Sequence, residues 1–231
     1  MRIETLKDDA AVAERTAEVI AQATLEAQRR SGRAVLAFSG GSTPAPMLRR
    51  LGGMHPNWNA THIVQVDERV APDGHPDRNW TMIADNLVKT TGISESLLHP
   101  MPVTEGDLEA AAERYATLLT ELCGVPPAVD VVHLGIGPDG HTASLVPGDP
   151  VLEVDDRWVA LAGPYQGRQR MTFTYPTINA GGLLVWQVTG ADKAGALRDG
   201  LEGTGVPASN VRRTGVWVIA THEAAAHLTG V

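Results

Sequence analysis

The chain has 231 residues, 43% hydrophobic and 20% charged, with a formal net charge of −8 and a pI of about 5.4. That supplies apolar sequence for one packed domain over residues 1–231, while the acidic balance argues against a nucleic-acid surface, which needs concentrated Lys and Arg. No run approaches the roughly 20 apolar residues of a membrane span, and the charged N-terminus has no signal-peptide pattern, so a cytoplasmic protein is expected.

Residues 8–30 read as a long helix, with Ala, Val, Ile and Leu on one side and Glu, Gln and Arg elsewhere, stopped at Gly32. Residues 34–38, Ala-Val-Leu-Ala-Phe, form the continuous apolar run of a buried parallel strand. A turn at 39–43 and a helix from Pro44 follow. A second strand is expected at 63–68, then a Pro/Gly-rich loop and a helix from Asn79 to Val88. Residues 107–122 combine helical periodicity with strong helix formers. The only cysteine, Cys123, lies just beyond them and reads as a small buried hydrophobe; one cysteine permits no intrachain disulfide and no cysteine-based zinc cluster.

The clearest central strand is 129–137. After it come the turn at 138–142, a strand around 158–163, a basic loop with Arg168 and Arg170 that reads as mobile, and a strand at 183–190. A helix at 191–202, a strand at 216–220 and a helix after Thr221 complete the chain. Strands and helices alternating at this spacing predict an α/β fold, a mostly parallel sheet flanked by helices on both faces.

Ligands of such sheets bind outside the carboxyl ends of the strands. Four patches follow strands here: 39–43, 67–69, 137–142 and 190–193. In Ser39-Gly40-Gly41-Ser42-Thr43-Pro44, Pro44 suits the first helical position and Thr43 or Ser42 the cap before it. Gly41 lets backbone approach a ligand, the N–H groups of a helix start favour an anion, and the hydroxyls of Ser42 and Thr43 add donors. The patch is neither GxGxxG nor GxxxxGK[ST], so it indicates neither a dinucleotide nor a nucleoside triphosphate. Without a ligand, the same residues would make an ordinary capped turn.

Arg69 is placed to clamp a phosphate or polarise an oxygen, and Asp67 to hold a hydroxyl or orient another side chain. Gly135-Ile136-Gly137-Pro138-Asp139-Gly140-His141-Thr142 is the informative patch. A neutral histidine is a suitable general base near neutral pH, and a nearby carboxylate selects its tautomer and stabilises the imidazolium. The spacing leaves open whether Asp139 touches His141. Lys193 stands where a helix begins, an unfavourable place for a cation unless an anion is present; Arg168 and Arg170 add further positive charge.

The other histidines carry less. His133 lies within an apolar strand and reads as a packed, hydrogen-bonded core residue. His55, His62, His75 and His99 have no metal-ligand partner at a recognised spacing, and His222 and His227 are not the HExxH pair. Ser144 lacks a GxSxG elbow, which weakens a serine-hydrolase reading. The five tryptophans are scattered, unlike a base-stacking platform.

The segments LAFSGGSTP, VQVDERV, HLGIGPDGHTASLVPG, RMTFTYPTIN and VTGADK resemble the 6-phosphogluconolactonase family, which is similar in fold to the glucosamine-6-phosphate deaminases. DGHTASLVPG is the specific string; SGGSTP and VDER are shared more loosely across the superfamily. The resemblance implies a modified Rossmann-like fold and hydrolysis of 6-phospho-D-glucono-1,5-lactone in the pentose phosphate pathway, with no cofactor or metal. It implies His141 as general base with Asp139 beside it. Gly41, Ser42, Thr43, Arg69 and Lys193 become phosphate- or substrate-positioning groups, Arg170 a further one, and Asp67 a polar wall of open role. Deaminases of this fold follow the equivalent DGH with an AFNEPG-like stretch whose glutamate serves ring opening. This chain has Ala143-Ser144-Leu145-Val146-Pro147-Gly148, without an acid. A non-catalytic sugar-phosphate-binding regulator would need no base, so the intact Asp139-Gly140-His141 disfavours it. The resemblance leans toward a monomer.

Overall fold

In the computed structural model, which describes residues 1–54 and 56–229, β1 (Arg2–Leu6) leads into α1 (Asp9–Ser31) and β2 (Ala34–Phe38) into α2 (Pro44–Gly52). Next, β3 (Thr61–Gln65) runs directly into β4 (Asp67–Arg69). Helix α3 (Asn79–Ile83) continues through a π-helical turn at Ala84–Val88 into α4 (Lys89–Thr91), followed by β5 (Leu98–His99), α5 (Leu108–Cys123) and β6 (Val131–Leu134). A hairpin of β7 (Val159–Tyr165) and β8 (Arg168–Phe173) precedes α6 (Tyr175–Ala180), β9 (Leu183–Val188), α7 (Ala194–Glu202) and β10 (Val216–Thr221).

Seven strands form a parallel sheet in the order β1-β10-β9-β6-β2-β3-β5, and β4, β8 and β7 form a smaller antiparallel one. Period-two alternation divides each central strand between two cores. Ala34, Leu36 and Phe38 face the core shared with α1 and α2, while Val35 and Ala37 face the core shared with α5, α7 and the small sheet. Burial on both faces is why the run lacks polar alternation in sequence. Helix α1 is delimited by its ends: Asp8 accepts a capping bond from the Ala11 N–H, and Gly32, at φ 78°, returns its own N–H to Gln28.

From β2 the chain crosses to β3 on one side, and β6 lies on the other. The connections leaving the carboxyl ends of β2 and β6 therefore diverge, opening a crevice at the switch point. Those connections are residues 39–43 and 135–142.

Several expectations need correction. Residues before the expected helix, to which the sequence assigned no element, form β1, an edge strand paired to β10. The run 63–68 is two strands in different sheets, with Val66 as pivot: its N–H bonds Phe38 O and its carbonyl accepts from Phe173 N. Both faces of the run are buried, so apolarity does not mark the break. The basic loop at 168–173 is strand β8, in which buried Met171 and Phe173 alternate with Arg170 and Thr172. Beyond Thr221 no helix forms among the described residues; Thr221 caps a single turn, and residues 222–227 continue as turns. Cys123 is partly buried against the core, and burial lifts its thiol pKa to about 12. His55 lies outside the described residues.

Candidate active site

At the crevice lies a cavity of about 350 Å³, lined by Gly41, Ser42, Thr43, Asp67, Arg69, His141, Arg170 and Lys193. Asp139 stands behind this wall and touches it through His141. The sequence candidates thus converge from four connections onto one edge of the sheet.

The contact that spacing left open is made. Asp139 Oδ1 accepts from His141 Nδ1 at 2.6 Å and from the His141 N–H at 3.2 Å. In a neutral ring, donation of Nδ1–H to the carboxylate leaves the lone pair on Nε2. Partial burial pushes the Asp139 carboxyl up, but the bonds from His141 outweigh it and leave it below the usual range. The contact between His141 and Asp139 requires glycine at 137. A Cβ there would stand 2.0 Å from His141 Nδ1 and 2.7 Å from Asp139 Oδ1. Backbone bonds from Gly137 N to His141 O and from Gly140 N to Gly137 O close the turn at 2.8 and 2.9 Å.

Asp67 is buried, its Oδ2 accepting from Ser144 Oγ at 2.7 Å and its Oδ1 from Asn79 Nδ2 at 3.2 Å. Burial raises its carboxyl pKa; the Ser144 bond and the charge of Arg170 only partly offset this. Beside it, Glu68 is fully buried and forms an ion pair with Arg78 at 2.9 Å. Its carboxylate also accepts from the N–H groups of Asn79 and Trp80 at the start of α3. This anchors the Pro/Gly-rich loop to β4 and delivers Asn79 to the cavity wall. Gly40 leaves the necessary space: a Cβ there would meet Asn79 Oδ1 at 1.8 Å.

Arg69 on β4 and Arg170 on β8 are direct cross-strand partners. Like charges so placed repel, and both line the cavity. Burial lowers the Arg170 pKa, and the facing Arg69 lowers it further against the pull of Asp67. Arg170 Nη2 donates to Tyr165 O at 3.0 Å, while its buried Nε meets no protein acceptor. A pair of cations under this repulsion is a natural receptor for an anion. Arg168 points elsewhere, to Asp77 at 2.9 Å.

Thr43, also at the cavity, occupies the cap position of α2 without making a side-chain capping bond. Lys193 stands at the start of α7, where Asp192 pairs with it at 2.6 Å. That carboxylate supplies part of the compensation the sequence assigned to a ligand. His133 is buried, as expected of a core histidine, and it also borders the cavity. Gln187 Nε2 donates to Thr43 O at 3.1 Å, so its Oε1 accepts from His133 Nε2 at 3.0 Å. Burial holds His133 neutral, at a pKa of about 4.

Sequence reasoning did not assign Asn79, Gln187 or Tyr165 to the site, and it considered Ser144 only as a nucleophile. Asn79 had one usable signal, a polar residue opening a helix directly after a Pro/Gly-rich loop. Among the described residues, no group of three or more His, Cys, Asp or Glu is arranged to hold a metal ion, and no helix is long and apolar enough to cross a membrane.

Residues 7–219 match the family described as glucosamine-6-phosphate isomerases/6-phosphogluconolactonase. A 6-phosphogluconolactonase of Nostoc sp. is 35% identical over 199 residues, covering 84% of this chain and 82% of the relative. The structure of 6-phosphogluconolactonase from Trypanosoma brucei superposes with a TM-score of 0.87 at 25% identity, covering 99% of this chain and 98% of that one. A monomeric glucosamine-6-phosphate deaminase superposes with a TM-score of 0.86 at 21% identity, over 98% of this chain and all of the other (100%). That last likeness speaks for the fold alone. With the family match spanning nearly the whole chain and a relative this similar, the chain belongs to the glucosamine-6-phosphate isomerase/6-phosphogluconolactonase family.

Proposed function

We propose that this chain hydrolyses 6-phospho-D-glucono-1,5-lactone to 6-phospho-D-gluconate, with His141 as general base. The observation that carries the reading is the His141–Asp139 bond of 2.6 Å beside a cavity that also holds the facing Arg69 and Arg170. The curated relatives named 6-phosphogluconolactonase support lactone hydrolysis as the reaction.

The substrate phosphate binds through the turn at Gly41, Ser42 and Thr43 and through the basic side chains Arg69, Arg170 and Lys193, placing C1 near His141. His141 Nε2 takes a proton from water as the water oxygen bonds to C1, and Asp139 stabilises the resulting imidazolium. The carbonyl electron pair moves onto oxygen and returns as the C1–O5 bond breaks. His141 then gives its proton to O5, which becomes the product hydroxyl. Ionisation of the new carboxylic acid releases one proton per turnover. Asp67, held by Ser144 and Asn79, forms a polar wall for sugar hydroxyls.

Residues 143–148 supply no carboxylate for sugar-ring opening, which supports lactone hydrolysis over deamination on the shared fold. The apolar core common to both sheets supports reading residues 1–231 as one catalytic domain. A monomeric cytoplasmic enzyme acting on a small phosphorylated lactone accompanies this reading.

The test is proton release from freshly generated 6-phosphogluconolactone, corrected for spontaneous hydrolysis, by wild type and His141→Ala, with ammonia release from glucosamine 6-phosphate read in parallel. Wild type accelerates hydrolysis, and His141→Ala lowers kcat by about 10²–10⁴. No acceleration by wild type sinks the assignment; ammonia release redirects it to deamination.

A further inference from the structure

The β7–β8 hairpin turns at Gln166 and Gly167, whose φ values of 53° and 77° both lie in the left-handed region. A two-residue turn of this hand ordinarily takes Asn, Asp or Gly at its first position, and glutamine there is strained. The turn carries Tyr165, at the end of β7, over the site. Tyr165 Oη donates to Asp139 Oδ2 at 3.2 Å, on the oxygen that His141 does not use. Its ring meets the His141 ring edge-on, with centroids 5.1 Å apart and planes at 62°. The tyrosine is itself held from below: Arg170 donates to its carbonyl at 3.0 Å and lies 5.5 Å from its ring centroid.

We propose that Tyr165 is a positioning residue for the hydrolysis, fixing Asp139 through Oδ2 so that Oδ1 stays directed at His141 Nδ1. This rests on the lactonase reading of the same site. Asp139 lies on a partly exposed turn, with its side chain 35% accessible, and a carboxylate bonded through one oxygen is free to swing toward water. Anchoring the second oxygen removes that freedom, and the edge-on ring contact restrains the imidazole from rotating. Burial and the adjacent carboxylate both raise the Tyr165 pKa, so its hydroxyl remains a donor. Tyr165, Asp139 and His141 thus form a chain of contacts in which Tyr165, 26 positions after Asp139, comes from the end of β7.

Tyr165→Phe retains the ring and removes the hydroxyl. One lost hydrogen bond to a charged acceptor predicts a roughly tenfold fall in kcat with KM within about twofold. In an Asp139→Asn background the same substitution adds less than about twofold, because its route is already cut. Proton NMR supplies a readout independent of turnover: the downfield Nδ1–H signal of His141 is sharp in wild type and broadens by solvent exchange in Tyr165→Phe. A Tyr165→Phe enzyme with wild-type kcat and an unchanged Nδ1–H signal overturns the proposal, as does an effect confined to KM or a full additional loss in the Asp139→Asn background. Should wild type fail to hydrolyse the lactone, the lactonase reading falls, while the NMR comparison still decides whether Tyr165 fixes the pair.

Discussion

Gly137→Ala tests whether the His141–Asp139 geometry, beyond the mere presence of the two residues, carries the reaction. The added methyl would sit 2.0 Å from His141 Nδ1, 2.1 Å from its Cε1 and 2.7 Å from Asp139 Oδ1. Ordinary contact begins near 3.4 Å, so the ring must retreat by about 1.4 Å. Misplacing a reacting group by about 1 Å costs roughly 10²-fold in rate, and here both members of the pair are displaced together. The fold has no comparable reason to suffer. Gly137 does not adopt the left-handed backbone conformation taken by Gly140, and the crowded atoms are side-chain atoms at the cavity. The prediction is a kcat loss of about 10²-fold with unfolding stability within roughly 1 kcal/mol of wild type. Lactone hydrolysis read by proton release, beside urea unfolding of the same preparation, separates the two effects. Wild-type kcat in Gly137→Ala would show that the ring can move without penalty, and the general-base geometry would lose its support.

Glu68→Ala removes the buried carboxylate of the Arg78 ion pair, leaves Arg78 only the exposed Asp73 as an ionic partner, and frees the N–H groups of Asn79 and Trp80. It should destabilise by about 3–5 kcal/mol in urea unfolding, and a loss below about 1 kcal/mol would contradict its role as the anchor of the 71–79 loop. Asp67→Asn should act in the opposite direction on stability while impairing turnover. The folded pKa of Asp67 is raised, so the folded state holds its proton more tightly than the unfolded chain. Its contribution is therefore fully favourable below the ordinary carboxylate pKa of about 3.9 and is lost as pH rises through the raised value. Unfolding at a series of pH values should show Asp67→Asn more stable than wild type at pH 7, with the advantage shrinking toward pH 4; a difference independent of pH refutes the assignment.

What was legible in the sequence was what short-range pattern determines. The runs at 34–38 and 216–220 are apolar because the sheet is covered on both faces, and the glycine-rich turns lie where strands of a parallel sheet must end. Long-range pairing was not legible. Arg168–Phe173 carries a strand's alternation, but its charged end and preceding glycine imitate a loop; only pairing with β4 and β7 makes it a strand. Ser144 was assessed as a nucleophile because its hydroxyl follows the DGH turn, whereas its partner, Asp67, lies 77 positions away. Tyr165 had no motif at all, since its contribution depends on where a hairpin tip lands.

Under the proposed function, the small antiparallel sheet adds to the site what the larger sheet alone does not supply. A parallel sheet with a switch point is common to this chain and to a deaminase structure at 21% identity, so the sheet cannot by itself select the reaction. Strands β4 and β8 place Arg69 opposite Arg170, an arrangement that costs a few tenths to about 1 kcal/mol with nothing between the charges. The same hairpin brings Tyr165 against Asp139 and holds Arg170 beneath it. On the proposed function, the β7–β8 hairpin contributes both to the anion site, through Arg170, and to the orientation of His141, through Tyr165. A change that shifts β8 along β4 should weaken phosphate binding and misalign His141 together, even though neither His141 nor Asp139 belongs to that sheet.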